Sequence, residues 1–140
     1  MHIEKVRVEG FRLLEDVEIL LEPTATVIVG RNNSGKTSLT EVFGRFAGEK
    51  TRFRLEDFSS GISGKFLEAR QLRHEGKKPE QVLDALPRIA ITLTFRYDAT
   101  AADLGPLAPF NIDLDPASTT GIIRVEYAPT IQTPQTLFDV

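Results

Sequence analysis

Residues 30–37 read Gly-Arg-Asn-Asn-Ser-Gly-Lys-Thr, and they directly follow the apolar run Val27-Ile28-Val29. The spacing is that of a phosphate-binding loop, in which a strand delivers the chain to a tight turn. Backbone N–H groups of that turn point at phosphate oxygens, and Gly30 and Gly35 permit the backbone conformation. The motif therefore predicts a nucleoside triphosphate site.

Each polar side chain of this loop has an expected role. Lys36, the predicted catalytic residue, can reach the β- and γ-phosphates, and the Thr37 hydroxyl is placed to bind a Mg²⁺ ion that bridges them. A nucleoside triphosphate and Mg²⁺ are accordingly expected to bind here. The predicted nucleotide-binding residues are Gly30, Arg31, Asn32, Asn33, Ser34, Gly35, Lys36, Thr37 and Ser38.

A helix is expected to begin within the loop and to point its N-terminus at the phosphates. Apolar residues recur at helical spacing after Lys36, and Gly48 stands where a glycine would end the helix. These apolar residues are Leu39, Val42, Phe43 and Phe46. A chance glycine-rich turn is the alternative, but it explains neither the preceding apolar run nor the amphipathic helix.

Length and composition predict one domain. The chain has 140 residues, 41% of them apolar, and no cysteine, which excludes disulfides and thiolate metal sites. His2 and His74 lack the neighbours that a catalytic metal requires. We find neither a membrane-length apolar stretch nor a signal-peptide pattern, and so expect a cytoplasmic protein without a membrane partner.

Charge is unevenly distributed along the chain. The net charge is −3, but residues 45–78 carry nine Lys/Arg against five Asp/Glu. This basic segment could contact phosphate backbones. A solvated helical insertion is the interpretation we favour, because no aromatic pattern for reading nucleic acid accompanies the charges.

Alternating and helical patterns predict the remaining elements. Strands are expected at residues 3–9, 17–21, 88–97 and 122–127, and helices at 64–75 and 79–86. Pro79 suits the first turn of the second of these helices, and Gly76 suits the end of the first. The last two strands are expected to form a hairpin-like antiparallel pair.

The N-terminal segment resembles the ABC-type ATPase heads of the SMC, RecF and OLD (overcoming lysogenization defect) nuclease group. The resemblance rests on the opening run 3–12, which ends in Phe-Arg, on the second strand at 17–21, and on Gly30-Arg31-Asn32-Asn33-Ser34-Gly35-Lys36-Thr37-Ser38. It covers roughly the first 48 residues. Arg54-Leu55-Glu56-Asp57-Phe58, followed by a helical insertion and an Ile-x-Leu-x-Phe strand, is most similar to the OLD-family ATP-dependent nucleases.

The resemblance implies an α/β P-loop NTPase fold, in which an antiparallel ribbon packs beside the P-loop strand and helix. The expected layout is strands, P-loop and first helix in 1–48, a helical insertion in 49–87, antiparallel strands in 88–128, and a tail in 129–140 that leads into a missing part of the domain. The resemblance implies that the cofactors are ATP and Mg²⁺ and that Arg12 contacts the nucleotide phosphates; a surface turn residue is the alternative for Arg12. The expected activity is ATP-dependent control of DNA processing by an endonuclease in repair or phage defence, with two ATPase heads forming a homodimer and DNA as a further partner.

Hydrolysis in this group also needs an apolar strand that ends in acidic residues. Asp113 and Asp115 are the nearest candidates, but alternating polarity and Pro116 favour a turn. Gln132 or Gln135 could be the glutamine that contacts Mg²⁺ by resemblance. Because the acid is not evident, a non-hydrolysing nucleotide sensor that regulates a partner effector is the alternative function.

Overall fold

A computed structural model describes residues 1–48, 52–97 and 119–130. Its elements are β1 (His2–Phe11), β2 (Leu14–Leu20), α1 (Lys36–Ala47), a 3₁₀ turn (Leu55–Asp57), α2 (Ile62–His74), α3 (Pro79–Ala85), β3 (Ile89–Arg96) and β4 (Thr120–Tyr127). The α/β fold class is confirmed, and so are the helices and strands predicted at these places, with ends that differ by a few residues.

The four strands form one antiparallel sheet in the order β2-β1-β3-β4. Two apolar rows cross all four strands. They are Ile19-Val6-Leu93-Ile123 and Val17-Val8-Ile91-Val125. Because side chains alternate between the two faces of a strand, these rows lie on one face and charged residues lie on the other.

Helix α1 covers the apolar face of the sheet. Leu39 and Val42 of α1 pack in one cluster with Val6 and Val8 of β1. Phe11 at the end of β1 is fully buried there. This packing places the start of α1, which is the end of the phosphate-binding loop, beside the turn between β1 and β2.

Ion pairs between strands lie on the opposite face of the sheet. Arg7 of β1 binds Asp16 of β2 through two hydrogen bonds of 2.7 and 2.8 Å, and Arg124 of β4 pairs with Glu9 of β1. Arg7 thereby lowers the pKa of Asp16. Such exposed pairs each contribute little to stability, so this face is best described as a solvated surface.

Helices α2 and α3 form a second, smaller core. Ala69 of α2 is buried against Val82 of α3 and against Leu86. Pro79 occupies the first turn of α3, and Gly76 has a positive φ, as expected for residues that start and end helices. In the described part of the basic segment 45–78, the chain forms the last turn of α1, the 3₁₀ turn and helix α2.

One local expectation is wrong. Val27-Ile28-Val29 forms no strand, and none of the four strands of the described sheet pairs with this run. Gly48 ends α1 as expected, but it does so in an extended conformation with φ of −82°. The expected apolar strand before the phosphate-binding loop is therefore not part of the described fold.

Candidate nucleotide-binding site

The loop from Gly30 to Thr37 leads directly into α1. Asn33 and Gly35 have φ of 62° and 91°, and this left-handed backbone turns the chain into the helix. A Cβ atom at position 35 would also lie 3.0 Å from Cδ2 of Leu14, the first residue of β2. Leu14 therefore packs against the loop. Glycine is required here for both reasons.

The ammonium group of Lys36 lies over the loop. It donates hydrogen bonds to the carbonyl oxygens of Gly30 at 2.6 Å and Arg31 at 2.7 Å, and to Ser34 Oγ at 3.2 Å. These contacts hold a positive charge at the centre of the loop. A lysine in this position can bind phosphate oxygens as a point charge.

The N-terminus of α1 provides further donors. Gly35, the N-cap, supplies no side-chain acceptor, and the first turn contains no acidic residue. The first amides of a helix have no carbonyl partner within it, and its dipole favours an anion there. Thr37 is exposed at this end and Ser38 is buried.

This donor set fits a phosphate chain with Mg²⁺. Ammonium and amide groups bind phosphate oxygens, while Thr37 offers one hydroxyl oxygen to a cation that the phosphates also bind. Within the described ranges, no group of three or more His, Cys, Asp or Glu residues is arranged to hold a metal ion. The residues present therefore suit a metal ion that binds together with a nucleotide.

Arg12 lies in the turn between β1 and β2, and its guanidinium contacts carboxylates. Nε and Nη2 donate to Asp57 Oδ1 at 3.0 and 2.9 Å, and Nη1 lies 2.7 Å from Glu41 Oε2. Arg45 of α1 also binds Asp57. We call these four residues, Arg12, Glu41, Arg45 and Asp57, the arginine–carboxylate cluster.

Asp57 is the centre of this cluster and is only 1% exposed. Burial by itself raises the pKa of Asp57, but the backbone N–H of Arg54 and the guanidinium groups of Arg12 and Arg45 outweigh it and hold the pKa below its ordinary value. Asp57 is thus a charged carboxylate inside the fold, satisfied by three donors.

Sequence reasoning identified the loop residues and Arg12 but missed the cluster. Glu41 and Arg45 are four residues apart on α1, a spacing that indicates an ion pair on a helix. Asp57 was identified only as part of the segment 54–58, which resembles the OLD family. No local pattern connects it with Arg12, which lies 45 positions away.

The remaining candidates cannot be placed. Asp113, Asp115, Gln132 and Gln135 lie outside the described residues. Among the helices that the structure describes, none combines the length and the apolar character that crossing a membrane would require.

A β-sheet that packs against a helix, where the helix begins at a phosphate-binding loop, defines a P-loop nucleotide-binding domain. The model of the AAA ATPase domain family (AAA_15) matches residues 1–117, so the chain belongs to this family. The predicted P-loop NTPase class is therefore confirmed.

Two curated relatives are DNA replication and repair proteins RecF. The chain is 45% identical over 47 residues to that of Arthrobacter sp. (strain FB24) and 42% identical over 41 residues to that of Ligilactobacillus salivarius (strain UCC118). These matches cover 34% and 29% of this chain and 12% and 11% of the RecF chains. Part of this chain is thus similar in sequence to RecF, while the chain spans about an eighth of the length of these curated relatives.

A solved structure comes from work on the ATP-driven dimerization and DNA-stimulated activation of SMC ATPases. Its match covers 92% of this chain and 64% of that chain at 16% identity, with a TM-score of 0.48. This likeness is too distant to carry an argument about function.

Proposed function

We propose that this chain binds Mg²⁺-ATP through residues 30–38 and forms the N-terminal part of an ATPase that controls DNA processing. The observation that carries the proposal is the geometry at the start of α1. There the ammonium of Lys36, held by two loop carbonyls, lies next to helix amides without acceptors. This combination is chemically suited to a polyphosphate.

Each loop residue has a distinct part in the proposed site. Lys36 neutralises charge on the β- and γ-phosphates, and the exposed Thr37 hydroxyl binds the Mg²⁺ ion. Backbone amides of residues 31–35 surround the phosphates. The left-handed backbone conformation of Asn33 and Gly35 is needed to turn these amides towards them. Arg12 is proposed to contact a phosphate from the β1–β2 turn.

The proposal extends to the whole protein by family likeness. The RecF relatives are named for DNA replication and repair. We propose that two such ATPase domains associate around ATP and that the intact protein is an ATP-dependent endonuclease of the OLD type.

Calorimetry with Mg²⁺-ATP tests the site. We expect saturable binding by the chain and at least roughly a tenfold weaker affinity in Lys36→Ala, since a charged hydrogen-bonding group is lost. Lys65→Ala is the matched control, because it removes one lysine from exposed α2, and its affinity should stay within about twofold of the original.

Two other outcomes are informative. Equal binding by the chain and Lys36→Ala would contradict the proposed site. Binding that depends on Lys36 without ATP turnover, if it persisted in a longer form of the protein, would favour the nucleotide sensor over the ATPase.

A further inference from the structure

The arginine–carboxylate cluster connects three parts of the fold beside the proposed nucleotide site. Arg12 belongs to the β1–β2 turn, Glu41 and Arg45 to α1, and Asp57 to the 3₁₀ turn. Its side-chain contacts are supported by the backbone, because the Arg12 N–H donates to the Asp57 carbonyl at 2.8 Å. The cluster therefore holds α1 and the β1–β2 turn in one relative position.

This arrangement holds Arg12 in an unusual conformation. Its φ is +49°, which residues other than glycine rarely adopt. Such strain persists only where surrounding contacts enforce it. Here the enforcing contacts come from Asp57, through both its backbone carbonyl and its carboxylate.

The turn that carries Arg12 also touches the phosphate-binding loop. Leu13 and Leu14, the next two residues, are the nearest neighbours of the space beside Gly35. A shift of this turn would therefore displace the start of α1. The contacts that fix the position of Arg12 thus also affect the conformation of the phosphate-binding loop.

The two carboxylates of the cluster have different environments. Asp57 is 1% exposed, whereas the Glu41 side chain is 38% exposed and binds the remaining nitrogen of Arg12. Removing a partner from a buried ion pair leaves an uncompensated charge inside the fold, while an exposed partner can be exchanged at little cost. Of the two carboxylates that bind Arg12, Glu41 is thus the one that solvent reaches.

The formal charges of the cluster cancel, because two guanidinium groups face two carboxylates. A phosphate that contacts Arg12 must compete with Glu41 for the same nitrogen and is repelled by its charge. Asp57 has the opposite influence, since it keeps the guanidinium in place.

We propose that Asp57 is a positioning residue for Arg12 and that Glu41 limits the affinity of Arg12 for phosphate. This inference rests on the proposed contact of Arg12 with the nucleotide. It predicts that removing one negative charge at Glu41 and removing one at Asp57 change the affinity for nucleotide in opposite directions.

The test compares affinities for Mg²⁺-ATP and Mg²⁺-ADP by calorimetry. We expect Glu41→Gln to bind both nucleotides more tightly, ATP by roughly threefold to tenfold, since the competing charge is gone. Asp57→Asn should bind ATP roughly threefold to tenfold more weakly, although it too removes one negative charge. A purely electrostatic effect would strengthen binding in both variants.

Glu18→Gln is the matched control, because Glu18 is an exposed carboxylate that pairs with Lys5 on the sheet. Its ATP and ADP affinities should be unchanged. Adding Arg12→Lys to Glu41→Gln should abolish the gain, because lysine cannot contact Asp57 with the same planar group. Thermal melting of each variant reports whether it folds, and the Glu41 variants test the inference even where Asp57→Asn does not fold.

The inference is overturned if Glu41→Gln behaves like Glu18→Gln, or if Asp57→Asn folds and strengthens binding, while ATP binding still depends on Lys36. Absence of any binding that depends on Lys36 would instead contradict the proposed nucleotide site, and this inference with it.

Discussion

At the scale of single residues, Asp57 is a buried carboxylate that remains charged inside the described fold. Four hydrogen bonds from three residues replace its lost hydration, and three of the four come from guanidinium groups. Hydrogen bonds between ionised groups are about twice as strong as neutral ones, so the carboxylate remains charged. Its removal is expected to affect both stability and site geometry.

Stability should depend on pH through Asp57. Its folded-state pKa lies below the ordinary value of 3.8, so its contribution is fully present above about pH 4. It is lost as the pH falls through the lowered pKa. We expect Asp57→Asn to lower the free energy of unfolding by on the order of 3 kcal/mol at pH 7, and this difference to shrink below about pH 4.

Urea unfolding of both proteins between pH 7 and pH 3 checks this expectation. Asp84→Asn is the control, since Asp84 is an exposed carboxylate that also pairs with an arginine. A difference between Asp57→Asn and the original chain that remained unchanged down to pH 3 would show that the charge of Asp57 is not what stabilises the fold.

At the scale of elements, some positions require the backbone freedom of glycine and others do not. Gly10 in β1 has φ of +75°, and a Cβ atom there would lie 2.2 Å from the Arg88 carbonyl oxygen before β3. Gly44 in α1 has nothing within 4 Å of the same position. A side chain at position 10 would thus clash with the backbone, whereas a side chain at position 44 would not.

Alanine substitutions at these two glycines should therefore have opposite effects. Gly44→Ala is expected to stabilise the chain by about 0.5–1 kcal/mol, because alanine favours a helix. Gly10→Ala should destabilise it by more than this, since both the backbone angle and the contact are unfavourable. Melting temperatures measure both, and a stabilising Gly10→Ala would show that β1 does not approach Arg88 this closely.

At the scale of the whole molecule, the apolar run before the phosphate-binding loop is exposed. Val27 and Val29 are 83% and 84% exposed, whereas Val42 of α1 is fully buried. An apolar run that would normally lie between parallel strands has no such neighbours in the described sheet. It contributes little to the stability of this fold and offers a surface for association.

Polar substitution of this run tests its role. The double variant Val27→Thr with Val29→Thr should change the free energy of unfolding by less than about 0.5 kcal/mol, as for exposed positions in general. Its self-association in size-exclusion chromatography should decrease. Val42→Thr is the buried counterpart and should destabilise the chain clearly; a comparable loss in the double variant would mean that the run is packed.

The sequence by itself determined the phosphate-binding loop, helix α1 and the four strands of the sheet. Each is encoded by neighbouring residues, either as a motif of fixed spacing or as an apolar period of 2 or 3.6 residues. Lys36 and Thr37 could be assigned roles because their positions within one short loop fix what they can reach.

Only the tertiary structure decided which distant groups meet. Arg12, Glu41, Arg45 and Asp57 come together because α1 packs on the sheet while the 3₁₀ turn bonds to the end of β1. It likewise decided that Val27-Ile28-Val29 is not a strand, since a strand exists only where a partner offers hydrogen bonds. Pairing and burial are properties of the assembled fold, and no local pattern encodes them.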